Sequence, residues 1–467
     1  MIETLAIDIG AGSGRIYNGS YDGIRIKLKE IYRFEHKPIK IEGKTVWNFE
    51  YILKSVREGI KLSKEQIVKI DSMAIDSWAP DYLLFDPSGS QYGHFYSYLD
   101  ERTKDVLSDI LHSVSAQEIY KITGNCPFEI SLLCQLIAQI ESDQTILERD
   151  YKILPLSNAL MFMLCGKTSI DFTVASTSMM FDYRKMDWSD EILSHFNIGK
   201  KIFPIMVDCG TKVGTLVNDQ KDIDLICTGS HDSALAIYTA KKIDEGDVTI
   251  NCGTWSIIGL PVDEPITNET ALDHGFTNYG LPDESFVFCK IIKGLWFIQA
   301  CKNHWVEKGE EYSYDDISKM AEVVAPTRHF IIDLNEASFR NEAGLPQKIQ
   351  KYCEDTYDDY PHDPGEISRC IYESLALEYR KAINQIESIS GRRINSIHLM
   401  GGGSQDRLLC QLIAERCELK VTAGPVESTV LGNVLMQLSA LGEIDDGEKI
   451  QKMIRASEKL ETYFPKA

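Results

Sequence analysis

Two distant stretches of this chain share one local order: an apolar strand, a glycine turn, a hydroxyl residue and a second strand. The first runs through Leu5–Ile9, Gly10-Ala11-Gly12-Ser13-Gly14 and Arg15–Tyr21. The second runs through Asp247–Cys252, Gly253-Thr254 and Trp255–Leu260. Each opens a β-rich stretch that gives way to helical periodicity. Repeat proteins show periods of about 20–50 residues, and none is visible here. The pattern therefore predicts two α/β domains with a cleft between them. The boundary is expected between Asp222 and Asp247, dividing the chain into domains 1–235 and 236–467. A length of 467 residues suits two or three domains.

Asp22-Gly23 marks a hairpin, and Ile24–Ile31 alternates as a third strand. A helix is expected over Glu50–Ile67 from the spacing of Ile52, Val56, Ile60 and Leu62. Ile70–Ile75 and Tyr82–Phe85 read as strands, and helical patterns dominate from Ala116 to Leu164. Ile153–Cys165 is too short to span a bilayer and reads as a buried helix. In the second half, Leu225–Cys227, Phe286–Ile291, Ile394–Met400 and Leu419–Thr422 read as strands. Leu295–Lys308, Ile367–Ile389, Leu408–Cys417 and Thr429–Leu441 read as helices, the last closing the core.

The formal net charge is −21, which repels phosphate backbones and anionic lipid. Nucleic acid and membrane are therefore not expected as partners. The N-terminus shows no basic stretch followed by an apolar one, so a cytoplasmic protein is expected. The 12 cysteines form no CxxC pair and no zinc spacing. Cys353 and Cys370 flank an acidic loop and could pair on oxidation, although reduced thiols are the simpler reading. Gly166-Lys167-Thr168 lacks the first glycine of a Walker A loop, because position 161 is Met. Ser230-His231-Asp232 holds triad residue types, but adjacent side chains diverge.

Four motifs carry chemistry. Asp8-Ile9-Gly10-Ala11-Gly12-Ser13-Gly14-Arg15 offers backbone N–H groups, a hydroxyl and a guanidinium to an anion, with Asp8 placed to hold a hydrated magnesium ion. An ordinary hairpin would read the same way. Asp232, after the turn Thr228-Gly229-Ser230-His231, can accept a hydroxyl proton, or can serve only as a helix cap. Asn251-Cys252-Gly253-Thr254-Trp255-Ser256 is a second phosphate-type hairpin or a plain β-turn. Met400-Gly401-Gly402-Gly403-Ser404-Gln405 joins a strand to a helix and would let a base or ribose lie on the backbone.

Together these motifs resemble the actin/hexokinase-like arrangement, and more narrowly the FGGY family of carbohydrate kinases. Further residues carry the resemblance: Ile75-Asp76-Ser77-Trp78-Ala79-Pro80-Asp81, Tyr98-Leu99-Asp100-Glu101-Arg102-Thr103, Lys293-Gly294-Leu295-Trp296 and Ala423-Gly424-Pro425-Val426-Glu427. It implies an α/β fold of two actin/hexokinase-like (ribonuclease H-like) domains, a sugar-binding N-terminal one and an ATP-binding C-terminal one, with a catalytic cleft between. It implies Asp232 as catalytic base. It implies ATP contacts at Ala11, Gly12, Ser13, Gly14, Arg15, Thr254, Gln299 and Gly402. Sugar contacts would come from Trp78, Ala79, Asp81, Asp100, Arg102, His231 and Ser233. ATP and Mg2+ would be the cofactors, and the chain a monomer or homodimer. The acceptor it implies first is O1 of L-rhamnulose. The branch acting on that sugar carries Gly where this chain has Ala79 and a sugar-contacting Asn where it has Ile291, so L-fuculose, L-ribulose, D-xylulose and polyols stay open. A non-catalytic sugar or ATP sensor and a chaperone-like ATPase are the rival classes. Co-occurrence of Asp8, Arg15, Asp232 and Thr254 opposes the first, and the roughly 25 residues after the last core helix oppose the second.

Overall fold

The computed structural model describes residues 1–217, 223–243, 248–444 and 447–466. Asp222 and Asp247, the expected limits of the domain boundary, lie outside the described residues. Two compact units are present. The first comprises Met1–Ile243, Val262–Phe288 and Thr429–Ser457, and the second Asp244–Pro261, Cys289–Ser428 and Glu458–Ala467.

The first unit is built on strands β1 (Ile2–Ile9), β2 (Ser13–Tyr21), β3 (Ile26–Glu35), β4 (Ser72–Ser77), β5 (Thr211–Thr215) and β6 (Asp224–Cys227). Their order is β5-β6-β4-β1-β2-β3. β1, β2 and β3 form an antiparallel meander, while β4 lies parallel to both β1 and β6. Alternation along β1 sends Leu5, Ile7 and Ile9 to one face, where the helix Phe49–Gln66 covers them with Ile52, Val56 and Ile60. Full burial of each such side chain is worth about 1.5–3 kcal/mol. The helix is started by Asn48, whose side chain accepts from Tyr51 N. Elsewhere in this unit, the helix Ser428–Ala440 packs with Val434 beside Gly19. That helix therefore belongs to the first unit, although it lies near the end of the chain.

The second unit repeats the plan. Strands β7 (Val248–Cys252), β8 (Trp255–Val262), β9 (Phe286–Lys293), β10 (Ser396–Met400), β11 (Lys420–Ala423) and β12 (Glu461–Tyr463) share one seven-stranded sheet in the order β9-β8-β7-β10-β11-β12, with the strand Thr277–Gly280 beyond β9. β7 is antiparallel to β8 and parallel to β10, and β10 is parallel to β11. An antiparallel hairpin whose first strand is joined to two successive parallel strands thus occurs in both sheets. The long helix Pro364–Ser390 buries Glu373 completely. Its carboxylate is matched by Arg369 Nη2 at 2.7 Å and Arg416 Nη2 at 2.7 Å, as a buried charge requires.

Three expectations need correction. Ile153–Cys165 is not one helix: Lys152–Pro155 is a strand paired with Tyr82–Phe85, and the helix begins only at Leu156. Two apolar residues before a proline, Ile153 and Leu154, suit either structure, and pairing decided between them. Thr429–Leu441 is not the last core helix, because Gly447–Ser457 follows and buries Ile450, Met453 and Ile454 on one face. Gly401–Ser404 is not wholly a loop, because Gly402–Gln405 forms a 3-10 turn. The rejected Gly166-Lys167-Thr168 motif begins at a left-handed helix cap, with Gly166 at φ +71°. All twelve cysteines are free thiols, and Cys353 and Cys370 lie side by side. No helix among the described residues is long and apolar enough to cross a membrane.

Gly59 marks how closely the first helix meets its sheet. A β-carbon there would stand 2.0 Å from Ile16 Cδ1 and 3.0 Å from Tyr32 Cδ1. Alanine is otherwise about 1 kcal/mol better than glycine inside a helix. Overpacking a filled core costs about 1–3 kcal/mol. Gly59→Ala is thus expected to lower the urea midpoint, and a raised midpoint would show that Ile16 repacks freely.

Candidate active site

The first unit places a row of charges across its sheet. Asp8 pairs in register with Arg15 on one side and with Asp76 on the other, so the three side chains share a face. Arg15 Nη2 donates to Asp8 Oδ2, in a contact buried on the Asp8 side. Asp76 is fully buried, and Asn433 Nδ2 donates to its Oδ2 at 2.7 Å. Among the described residues its Oδ1 has no partner. Burial and the neighbouring Asp8 charge push the Asp76 carboxyl well up, against the Asn433 hydrogen bond.

One residue past this row, Ser77 bridges to His231, and Asp232 opens the helix Asp232–Lys241. Asp232 Oδ1 accepts from Ser233 Oγ at 3.0 Å and from the Ser233 amide. The Asp232 side chain keeps 23% of its surface exposed. Burial raises its carboxyl above the usual range, the nearby His231 opposes that, and Asp8 adds to it. Burial lowers the buried His231, whose Nε2 stands 3.7 Å from Asp232 Oδ1. A carboxylate raised by burial and still partly exposed is suited to accept one proton from an incoming hydroxyl.

The glycine turn of the first hairpin is closed by Gly10 N donating to Ser13 O at 3.0 Å. His36 props it from behind. Its ring meets Gly10 O at 2.9 Å, and a carbonyl can only accept, so Nε2 carries the proton. Gly12 is at the exposed tip, where a β-carbon would meet nothing within 4 Å. Gly14 is required for another reason: a β-carbon would lie 2.2 Å from the Phe34 ring.

The residues expected to contact sugar form a polar lattice in the same unit. Asp81 is buried and saturated, with Trp47 Nε1 at 2.7 Å, Trp78 Nε1 at 3.0 Å and Gln135 Nε2 at 3.0 Å. It holds the two indoles, whose centroids are 4.8 Å apart, instead of facing outward. Asp100 caps a turn by accepting from Arg102 N and also takes the Thr45 amide. Arg102 lies 4.0 Å over the Tyr96 ring and donates through Nη2 to Gln135 at 2.9 Å. Among the described residues its buried Nε and Nη1 have no hydrogen-bond partner. Ala79 is half-buried beside Trp78, whereas Ile291 is half-buried on β9.

The second unit gathers the other residues. Thr254 Oγ1 donates to Gln299 Oε1 at 3.0 Å. The turn carbonyls of Gly253 and Thr254 accept from Leu295 N at 2.9 Å and Gly294 N at 3.0 Å, which fastens the hairpin to the start of the helix Trp296–Glu307. Gly294 is needed for that approach, because a β-carbon would lie 2.3 Å from Ser256 Oγ. Gly401 and Gly403 pack on Asn251 and Cys252, which leaves Gly402 exposed with open space before it.

Matches to family models cover both halves: the N-terminal domain of the FGGY family of carbohydrate kinases over residues 4–237, and its C-terminal domain over 248–441. The chain belongs to the FGGY family of carbohydrate kinases. It is a sugar kinase by that membership, with the two-domain fold of such enzymes. A rhamnulokinase from Bacillus subtilis (strain 168) is 32% identical, covering 100% of this chain and 96% of its own. One from Bacteroides thetaiotaomicron is 31% identical over 98% of this chain and 95% of its own. A ligand-bound xylulose kinase from Lactobacillus acidophilus shares the fold at TM-score 0.80 and 17% identity, covering 100% of this chain and 94% of its own. A Plasmodium falciparum glycerol kinase with ADP gives 0.79 and 16%, with coverage of 100% and 94%.

His36, Asp76, Gln135 and Asn433 escaped the sequence reading as site residues. Asp76 was detectable, because a carboxylate in a strand of buried neighbours is a warning of function. Its raised carboxyl sets a test. A folded-state value above the unfolded one stabilises at low pH, and that contribution is lost as pH rises through the folded value. Asp76→Asn mimics the protonated form. It is expected to raise Tm at neutral pH by a few degrees and to leave Tm little changed in acid. An equal or lower Tm at neutral pH would show Asp76 held ionised by its surroundings.

Proposed function

We propose that this FGGY kinase transfers the γ-phosphoryl group of ATP to a ketose hydroxyl, with O1 of L-rhamnulose as the leading acceptor. The observation that carries the reading is Asp232. It is a half-buried carboxylate raised by its surroundings, at a helix start, one step beyond the Arg15–Asp8–Asp76 row. The choice of sugar is supported by the rhamnulokinase relatives at 30–32% identity along essentially the whole chain.

The sugar binds to residues 1–235, through Trp78, Ala79, Arg102, His231 and Ser233, and Arg102 brings a guanidinium whose Nη1 lies 3.9 Å from Asp100 Oδ1. Nucleotide contacts come from the turn Ala11 to Gly14 and, within 236–467, from Thr254, Gln299 and Gly402. Asp232 takes the hydroxyl proton, which is worth about 10²–10⁴-fold as general base. His231, its imidazole lowered by burial, flanks the base. Arg15 acts chiefly by neutralising Asp8. Magnesium fits here, because the Asp8 carboxylate is a hard oxygen donor and Asp76 Oδ1, unpartnered among the described residues, would join it once the ion's charge drew the proton off Asp76. Asp8 would hold it, and a bound ion would offset charge on the transferring phosphoryl group. The free thiols suit the reducing cytoplasm, where we place the protein as a monomer or homodimer.

Turnover with L-rhamnulose, L-fuculose, L-ribulose and D-xylulose, followed as ADP release, tests the acceptor. The highest kcat/KM is expected for L-rhamnulose. Another leading ketose would assign the sugar pocket differently, and no sugar-dependent release with any of the four would end the ketose assignment. Asp232→Asn is expected to cut kcat by about 10²–10⁴-fold with ATP binding retained. Chelation of divalent ions is expected to stop turnover, and added magnesium to restore it.

A further inference from the structure

The loop that delivers Asp232 is anchored by a carboxylate outside all the motifs above. Asp171 is fully buried at the end of the short strand Ile170–Asp171. Its Oδ1 accepts from Thr173 N at 3.0 Å and from Thr173 Oγ1 at 2.5 Å. Those two bonds cap the short helix Phe172–Ala175 and would suffice for a cap. The same carboxylate also accepts the Ser230 amide, at 3.2 Å on Oδ1 and 3.1 Å on Oδ2. Thr173 Oγ1, having donated to Asp171, accepts the His231 amide at 3.2 Å. The two peptide groups immediately before Asp232 are thus both held by this buried pair. From the other side, Ser230 O accepts from Ser77 N at 2.9 Å and Ser157 Oγ at 3.2 Å. Gly229, at φ +115°, lets the chain turn into this grip.

We propose that Asp171, acting partly through Thr173, is a positioning residue for phosphoryl transfer: it fixes the peptide planes of Ser230 and His231 and so aims the Asp232 carboxylate at the acceptor hydroxyl. The proposal rests on Asp232 being the base. Three features favour it over capping alone. The bonds to Ser230 span 59 residues of sequence and add nothing to the cap. They are charge-assisted, about twice as strong as neutral ones. A general base must also be held closely, since a misplacement of about 1 Å can cost about 10²-fold in rate.

The full-length enzyme tests this with Asp171→Asn, Thr173→Val and Thr173→Ser, each measured per folded molecule by circular dichroism. Thr173→Val keeps the shape and removes only the hydroxyl relay, so it serves if Asp171→Asn folds poorly. Thr173→Val is expected to lower kcat by about 10-fold or more, with KM for sugar and for ATP within about two-fold, as displacement of a base rather than of substrate predicts. Thr173→Ser restores the hydroxyl and is expected to recover most of that loss. A wild-type kcat in Thr173→Val, a change confined to KM, or a loss that serine does not recover overturns the proposal. Asp232→Asn is the control that separates the two readings. Wild-type turnover in that variant removes the base assignment itself. An inactive Asp232→Asn beside a normal Thr173→Val removes only the positioning role.

Discussion

The first unit is organised around one awkward group, the Asp8 carboxylate inside an apolar sheet. Its strand supplies Leu5, Ile7 and Ile9 to the core on alternate positions, so Asp8 necessarily turns to the opposite face. There a charge 2% exposed has to be compensated. Antiparallel pairing brings Arg15 across from it, and parallel pairing brings Asp76. One cation thus serves two acids, and the second acid is driven toward its neutral form. Asn433 and Gln437 complete the row: Gln437 bonds Asn433 Oδ1 at 2.7 Å and Leu5 O at 3.0 Å. The polar stripe of the helix Ser428–Ala440 is explained by this, since an apolar helix would leave those groups unpaired.

The two sheets solve the same topological problem with different contents. Both run an antiparallel hairpin, then parallel strands, and both carry a glycine turn between the strands of that hairpin. In the first, the turn is propped by His36 and its strands carry the charged row. In the second, the equivalent strand end carries Asn251 and Cys252, onto which Gly401 and Gly403 pack. One backbone plan thus carries two different sets of side chains.

Strands and helices were largely legible because alternation and 3.6-residue spacing report burial directly. Phe49–Gln66, Tyr82–Phe85 and Trp296–Glu307 all lie within two residues of the ranges read from the sequence. The strand Lys152–Pro155 was not legible, because its pairing partner is some seventy residues away. At the site, Asp8, Asp232 and Thr254 were visible as polar residues at strand ends or turns. The roles of Asp81 and Gly14 were not. Asp81 is consumed by two indoles and an amide, and Gly14 answers to the Phe34 ring. Residue type announces that a position is special, whereas only the neighbours say what it is special for.

The net charge of −21 sharpens what the phosphate contacts must be. Arg15, the cation in the first hairpin, is bound to Asp8, so most of its charge is already spoken for. In the second hairpin Thr254 bonds a neutral amide, and Gly402 brings no side chain at all. On the proposed reading, a phosphate at either turn would rely on peptide N–H groups and a divalent ion more than on arginine or lysine. Such a site discriminates by geometry and by the metal, since a field of this sign repels polyanions indiscriminately. It follows that nucleotide affinity should depend far more steeply on magnesium than on the removal of any single basic side chain.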